Sequence, residues 1–156
     1  MEVRRASVSD AAEIASVHVR TWQAAYAHVF GAERLAQLDV DRRVAGWTRE
    51  LTAGEPIFVA GEEGRVVGFV SVGACELYAI YVLPEAWGSG AGSGLMRAAV
   101  GQLREDGCGE AVLWVLEDNP RARRFYEREG WELDGGHKED DFFGVRVAEV
   151  RYRIAL

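Results

Sequence analysis

The sequence predicts an α/β (α+β) fold in which one mixed, mostly antiparallel sheet is flanked by helices. Two nearly continuous apolar runs of strand length, residues 76–83 and 110–117, are separated by a helix-like segment. This order at this spacing is typical of a right-handed crossover, so the two strands are expected to form a central parallel pair. Further strand-like and helix-like runs around this unit predict six to seven strands and about four helices.

The first half of the chain is expected to supply a strand, two helices and a hairpin. Residues 2–7 have the pattern of a short strand, and Asp10 followed by Glu13 is typical of a capping box at the start of a helix. Apolar residues spaced by threes and fours predict a second helix over about 35–54. The segment 56–73 contains two β-rich runs around the sequence GEEG, which predicts a hairpin.

Two further helices are predicted in the second half. A helical stretch follows the first buried strand and ends at Gly107. Asn119 and Pro120 form a cap and first-turn pair that is typical of a helix start, and Gly130 is typical of the end of that helix.

The C-terminal tail is expected to form two more strands. The sequence HKEDDFF, residues 137–143, is interpreted as the loop between them. The apolar residues of the last strand shift from odd to even positions between Val147 and Val150, which predicts a bulge there.

Composition narrows the functional classes. The 156 residues are 49% hydrophobic, as expected for a single domain spanning 1–156. A net charge of −7 disfavours nucleic acid and anionic membranes as partners.

Cys75 and Cys108 fit no metal-site spacing and offer no disulfide framework, so a reducing cytoplasm is the expected location. No signal peptide or membrane span is expected, and three scattered histidines (His18, His28 and His137) predict no metal site.

A glycine-rich segment joins the first buried strand to the following helix. In VLPEAWGSGAGSGLM, residues 82–96, glycine occupies every second position from Gly88 to Gly94. Bare backbone at a helix N-terminus presents unpaired amides and the positive end of the helix dipole, which favours a phosphate ligand. Neither the P-loop pattern nor the dinucleotide-binding pattern is present. The alternative interpretation is a merely flexible turn.

A second motif, EDNPRARRFYEREGWE at residues 117–132, follows the second buried strand. Together with the glycine segment it resembles the GNAT superfamily of acetyl-CoA-dependent N-acetyltransferases. The family's pyrophosphate signature, Gln or Arg, two residues, Gly, one residue, then Gly or Ala, falls on Trp87, Gly90 and Gly92. Trp87 departs from the usual polar residue. The resemblance implies that the two parallel strands splay apart at a bulge.

The resemblance also implies where acetyl-CoA, the expected co-substrate, would bind. Its pantetheine arm would lie between the splayed strands and pair with backbone groups near Tyr81, Val82 and Leu83. The remaining cofactor-binding candidates are the loop residues Trp87, Gly88, Ser89, Gly90, Ala91, Gly92 and Ser93, and the helix residues Asn119, Ala122, Phe125 and Tyr126.

The implied chemistry is direct acetyl transfer to an amine, without an acyl-enzyme. An alkylamine has a pKa of about 10.4 and must lose a proton before it attacks. Glu76 stands where many family members carry the general base; a solvated charge at a strand edge is the alternative. The backbone N–H of Val82, at the bulge, would stabilise the oxyanion. Tyr126 would protonate the departing thiolate, and the alternative for it is an ordinary core tyrosine.

An aromatic stripe on the first helix is the signal for an acceptor site. Trp22, Tyr26 and Phe30 recur every four residues. Such a stripe is usually an apolar face packed on the sheet, although the residues nearest the cofactor could line an acceptor site. The acceptor candidates are Trp22, Tyr26 and Tyr78. Asp140 and Asp141 could attract a cationic amine or simply be solvated.

Three functions remain open at this point. The first is a small-molecule amine N-acetyltransferase, and the second is a protein or peptide N-acetyltransferase. The third is a non-catalytic domain that senses acetyl-CoA. Retention of both Glu76 and Tyr126 favours an enzyme. A homodimer is a further possibility, and the motifs identify the donor and not the acceptor.

Overall fold

A computed structural model describes residues 1–156 and confirms the predicted mixed sheet. The sheet has seven strands in the order β1-β2-β3-β4-β5-β7-β6, and every neighbouring pair is antiparallel except β4 and β5. The strands are β1 (Glu2–Arg5), β2 (Ile57–Glu62), β3 (Arg65–Gly73), β4 (Glu76–Val82), β5 (Glu110–Leu116), β6 (Glu132–Phe142) and β7 (Val145–Ala155).

Five helices cover the two faces of this sheet. They are α1 (Ala11–Phe30), α2 (Ala32–Leu35), α3 (Val40–Thr52), α4 (Ala91–Glu105) and α5 (Pro120–Arg128). Residues of α4 and α5 pack in the largest apolar cluster on one face, and α1 packs against the other face, with α3 alongside it. No helix has the length and apolar character that crossing a membrane requires.

Two details of the first helices differ from the sequence prediction. The helix predicted over 35–54 corresponds to α3, which begins later, where the Asp39 carboxylate accepts a hydrogen bond from the Arg42 amide. Residues 36–39 lie outside any helix, and Leu35 is the last residue of the short helix α2. The capping box pairs Ser7 with Asp10 instead of Asp10 with Glu13, because a short 3-10 turn precedes α1. Glu13 instead accepts a 2.8 Å hydrogen bond from the backbone N–H of Val66 in β3.

The predicted bulge in the last strand is wrong. β7 pairs with β5 in unbroken register from Glu149 to Ala155, and the irregularity lies in β6 between Leu133 and His137. The apolar residues of β7 change from odd to even positions because helices pack on opposite faces of the strand at its two ends. Val147 packs with residues of α1, whereas Tyr152 packs in the cluster under α4 and α5.

The segment HKEDDFF was predicted to be a loop but is mostly strand. Residues 137–142 belong to β6 and pair with β7, and only Phe143 lies in the turn between the two strands. Charged residues fit here because β6 is an edge strand, whose side chains remain largely exposed.

The cysteines also differ from expectation, because Cys75 and Cys108 form a disulfide with Cα atoms 5.7 Å apart. Cys75 precedes β4 and Cys108 precedes β5, so the bridge lies at the end where these parallel strands are still joined. The crossover through α4 brings together two residues 33 positions apart in the sequence. Cysteine spacing alone could not reveal this proximity.

The parallel pair β4–β5 opens into a wedge. Only one register pair is present, Glu76 with Val112, and the strands separate toward their C-terminal ends. The bulge in β4 lies at Tyr78, between Leu77 and Ala79. The bulge was expected at Val82, and this prediction is wrong because Val82 pairs in regular register with β3.

Candidate active site

A cavity of about 540 Å³ occupies the wedge between β4 and β5. Its lining residues come from both faces of the sheet. On one face they belong to α4 and α5, including Ala91 and Tyr126, and on the other to α1, including Trp22 and Tyr26. The cavity therefore runs through the sheet at the point where the parallel strands separate, and it joins two chemically different chambers.

The glycine-rich loop forms the mouth of the cavity on the α4 side. Gly88 and Gly90 have φ values of +78° and +90°, a conformation that disfavours residues with a Cβ. A Cβ atom on Gly92 would lie 3.1 Å from the Phe125 ring, so glycine lets the first turn of α4 approach α5. The first amides of α4 have no partner within the helix. Together these features present bare backbone to the cavity.

Not every predicted loop residue lies on the cavity. Gly88, Gly90, Ala91, Gly92 and Ser93 line it, as does Trp87. Ser89 does not line the cavity. Its hydroxyl donates to the carbonyl of Ala86 and accepts from the amide of Ala91, and these two hydrogen bonds stabilise the loop.

Backbone direction distinguishes the three residues predicted at the end of β4. The amide of Leu83 donates a 2.8 Å hydrogen bond to the carbonyl of Val67. The N–H and C=O groups of successive residues point to opposite sides of a strand. The backbone groups of Tyr81 and Leu83 therefore point to β3, and those of Val82 point into the wedge. Of the three residues near which cofactor pairing was expected, Val82 is the one whose backbone is directed into the wedge. The side chain of Tyr81, unlike that of Leu83, still lines the cavity.

Trp87 lies across the cavity mouth. Its indole Nε1 donates a 3.0 Å hydrogen bond to the Val82 carbonyl, and the Arg121 guanidinium carbon lies 3.4 Å from the centre of a Trp87 ring. This contact joins β4 to α5 across the opening of the wedge. Arg121, which the sequence analysis did not select, is thereby a residue of the site.

Asn119 orients both the start of α5 and the hydroxyl of Tyr26. Its side-chain oxygen accepts from the Ala122 amide at 3.2 Å, and its Nδ2 donates to the Tyr26 hydroxyl at 3.0 Å. Ala122 and Phe125, on the next turns, line the cavity. The cap therefore links the α5 side of the cavity to the α1 side.

Tyr126 is buried, with 7% of its surface exposed, and it lines the cavity. Its hydroxyl has no hydrogen-bond partner within the protein. Burial raises the pKa of Tyr126 well above its ordinary value, and the nearby hydroxyls of Tyr81 and Tyr26 act in the same direction. Tyr126 therefore carries its proton at physiological pH and presents it to the cavity.

Aromatic side chains form the α1 side of the cavity. Trp22 donates from Nε1 to the Tyr81 hydroxyl at 3.0 Å, and its ring meets that of Tyr26 in an edge contact at 4.7 Å. Burial raises the pKa of Tyr26. Phe30, the third member of the predicted stripe, is 1% exposed and belongs to the core. Of this stripe, Trp22 and Tyr26 line the cavity.

Glu76 and Tyr78 lie near the closed end of the wedge. Glu76 pairs with Val112, so its side chain is on the α1 face of the sheet, where it lines the cavity without a hydrogen-bond partner in the protein. Tyr78, the bulged residue, is 52% exposed at the rim, and partial burial followed by the charge of Glu76 raises its pKa.

Glu149 is a buried carboxylate of the site that the sequence analysis missed. It lies on β7 beside Leu116, faces the α1 side and lines the cavity. Burial raises its pKa above the ordinary glutamate value. In the sequence it resembles the other charges of the last strand. The sequence does hold one indication of its burial. Glu149 has an odd number, like Val145 and Val147, and the odd-numbered side chains in this part of β7 face α1.

Comparisons with known proteins agree with this architecture. The model of the acetyltransferase (GNAT) family matches residues 13–131. The chain is 34% identical to an uncharacterized N-acetyltransferase, YuaI, of Bacillus subtilis, over 95% of this chain and 89% of that protein. It is 30% identical to the uncharacterized N-acetyltransferase Rv2669 of Mycobacterium tuberculosis, over 89% of this chain and 98% of that one.

Solved structures share the fold. A GCN5-related N-acetyltransferase from Rhodopseudomonas palustris matches with a TM-score of 0.83 at 22% identity, covering 99% of this chain and 95% of that one. YncA from Salmonella typhimurium, solved with acetyl-CoA, matches with a TM-score of 0.75 at 22% identity, covering 100% and 94%. The family match covers most of the chain and the two relatives span nearly all of it, so this protein belongs to the GNAT family of acetyltransferases.

Proposed function

We propose that the protein transfers an acetyl group from acetyl-CoA to a primary amine of a small molecule, by direct transfer within a ternary complex. The observation that carries this proposal is the single cavity through the wedge. It connects a mouth of bare backbone amides with a chamber of aromatic and carboxylate side chains. Two proteins of the same fold support the donor: YncA was solved with acetyl-CoA, and PaiA from Thermoplasma acidophilum with coenzyme A.

The residues at the cavity mouth fit such a donor. Left-handed glycines and the unpartnered amides of Gly92 and Ser93 suit a pyrophosphate. The Ala91 amide is already bonded to the Ser89 hydroxyl, so Gly88, Gly90 and Ala91 would contribute mainly by leaving the backbone open to the ligand. The backbone of Val82 and the side chains of Asn119, Ala122 and Phe125 would contact the pantetheine arm. The thioester of the donor would supply the activated acetyl group.

The side chains around the wedge would supply proton transfer and charge stabilisation. Glu76 would take a proton from the acceptor ammonium, directly or through water. The N–H of Val82, which faces the wedge, would donate to the carbonyl oxygen as negative charge develops on it. Tyr126 would donate its proton to the departing thiolate.

Direct transfer is also favoured by the state of the cysteines. Covalent catalysis by cysteine needs a thiolate. Cys75 and Cys108 are joined in a disulfide, and the protein has no free cysteine. The acetyl group would then pass from donor to amine without a cysteine-bound stage.

The acceptor chamber favours a small amine over a protein chain. Trp22, Tyr26 and Phe142 surround it together with the buried Glu149, and this combination suits a compact cation. Transfer to a protein or peptide, and acetyl-CoA sensing without catalysis, remain the alternatives that experiment must separate.

The test is thiol release from acetyl-CoA across a panel of amines that includes alkylamines, diamines, amino acids and peptide N-termini. Acetyl-CoA alone should raise the melting temperature, because a ligand that binds the folded state stabilises it. Turnover confined to small amines supports the proposal. Turnover only of peptides favours the second function. Thermal protection without turnover of any amine favours the sensor, and no protection at millimolar acetyl-CoA contradicts the donor.

A further inference from the structure

Glu149 is the one buried carboxylate that faces the acceptor side of the cavity and accepts no hydrogen bond. Its residue surface is 7% exposed. The other buried acid, Asp10, receives a paired contact from Arg4 at 2.9 Å. The oxygens of Glu149 reach the cavity, where a charged hydrogen-bond donor would stabilise the carboxylate. The oxygens of Glu149 are left available to a ligand in the cavity.

The nearest cation does not satisfy Glu149. Lys138 Nζ lies 3.9 Å from its carboxylate, beyond hydrogen-bond distance, and the same ammonium lies 4.4 Å from the ring centre of Trp114. The lysine side chain is 44% exposed at the edge of the cavity. It can leave the carboxylate at little cost when a better-placed cation enters.

The surroundings of Glu149 suit a nitrogen cation. Burial raises the pKa of both Tyr26 and Tyr81, and the negative charge of Glu149 acts in the same direction, as expected for a carboxylate near the two hydroxyls. Aromatic faces and a carboxylate together form a favourable environment for an ammonium group. The ring of Phe142 closes the same side through its edge contact with Trp22.

Glu149 and Glu76 are too far apart to contact one nitrogen. Glu76 of β4 pairs with Val112 of β5, and Glu149 of β7 pairs with Leu116, which is four residues further along β5. The two glutamate backbones are therefore separated by about 13 Å along the strands and roughly 10 Å across two strand spacings, which gives a distance of about 16 Å. A ligand that reaches both carboxylates must carry two nitrogens.

We propose that Glu149 binds a second cationic nitrogen of the acceptor, distinct from the nitrogen that is acetylated, so that the preferred substrates are small diamines or longer polyamines. This inference rests on the proposed acetyl transfer to an amine. The acetyl group would go to the nitrogen near Glu76 and the wedge. The nitrogen at Glu149 would stay protonated and hold the substrate in place.

The test compares 1-aminopentane with 1,5-diaminopentane by thiol release from acetyl-CoA. The wild type should use the diamine with a kcat/KM about 10- to 100-fold higher, as expected for one hydrogen-bonded charge pair. Glu149→Gln should collapse this ratio toward one, mainly through KM. Lys138→Met removes the competing cation and should increase the ratio. Glu132→Gln, at an exposed position of β6, should leave the ratio unchanged.

Calorimetry of 1,5-diaminopentane binding to the CoA-bound protein provides a readout without turnover. Binding should weaken in Glu149→Gln and tighten in Lys138→Met. A wild-type ratio near one, or equal losses on both amines in Glu149→Gln, would overturn the inference while leaving acetyl transfer intact. If no amine is acetylated, the proposed function fails. In that case calorimetry still tests the inference, which is overturned if Glu149→Gln binds the diamine as tightly as the wild type does.

Discussion

The indole nitrogen of Trp87 donates a 3.0 Å hydrogen bond to the backbone carbonyl of Val82. Val82 is a residue of β4 whose backbone faces the wedge, so the Trp87 indole occupies one of the two acceptor positions on a carbonyl that a pantetheine amide would use. The position that usually carries a polar side chain in the family is here an aromatic ring, and the Arg121 guanidinium stacks on one face of it.

Replacing Trp87 should therefore change donor binding in a specific direction. Trp87→Phe keeps a ring for Arg121 but removes the N–H, which frees the Val82 carbonyl. One neutral hydrogen bond contributes about 1 kcal/mol, so acetyl-CoA should bind roughly fivefold more tightly in calorimetry. Trp47→Phe, which lies outside the cavity, is the control. Weaker binding in Trp87→Phe would show instead that the indole contacts the cofactor.

Tyr126→Phe tests the proposed proton donor. The hydroxyl has no partner in the protein and its pKa is raised by burial, so its loss should barely change folding or acetyl-CoA affinity. The rate should fall by about 10²-fold, the lower end for general acid catalysis. The measurements are kcat for thiol release and calorimetry with acetyl-CoA. An unchanged kcat would remove Tyr126 from the acid role.

Glu76→Gln tests the proposed base. The variant keeps the size of the side chain but cannot accept a proton, so kcat/KM for the amine should fall by about 10²-fold. The rising limb of the pH–rate profile should shift or flatten. Glu149→Gln serves as the comparison, because it is expected to act through KM. A profile identical to that of the wild type would identify another group as the base.

The Cys75–Cys108 bridge should stabilise the fold by restricting the unfolded chain. For two cysteines 33 residues apart, the loop-entropy model gives about 3–4 kcal/mol. Urea unfolding of the double variant Cys75→Ser/Cys108→Ser should show this loss, and the oxidised wild type with reductant added should approach it. Disulfides are uncommon in a reducing cytoplasm. Thiol labelling of freshly lysed cells tests whether the bridge forms in the cell. A fully oxidised protein would contradict the cytoplasmic location expected from the sequence, and labelled cysteines would support it.

His18 predicts a dependence of stability on pH. Burial, followed by the charge of Arg43, lowers the pKa of His18 to about 4, and its Nδ1 accepts from the Trp47 indole. In the unfolded chain the pKa is about 6.5, so between these values the unfolded state binds a proton that the folded state does not. The free energy of unfolding should fall by up to about 3 kcal/mol as the pH drops from 6.5 to 4.

His18→Gln provides the control for this prediction, because glutamine can accept the Trp47 hydrogen bond without titrating. Its urea midpoint should change less with pH over the same range. Equal pH dependence in wild type and variant would assign the effect to other groups.

Part of the active site could be predicted because local sequence decides it. The left-handed turns at Gly88 and Gly90 and the helix cap at Asn119 depend on residues that are close in the chain. Spacing after that cap places Tyr126 on the same helix face as Asn119, and the resemblance to the GNAT family selected it as the candidate acid. The buried runs of β4 and β5 similarly predicted a parallel pair, because hydrophobic pattern and crossover length are local properties.

The remaining features were decided by contacts between distant segments. Hydrophobic pattern and local turn chemistry were sufficient to predict the mixed sheet, the glycine-rich start of α4 and the helix that carries Tyr126. Packing of the folded chain joins Cys75 to Cys108, places the Trp87 indole on the Val82 carbonyl and buries Glu149 beside the wedge. Cysteine pairing, side-chain direction and the burial of a charge depend on which elements pack together, and the residues concerned carry no local signal of their partners.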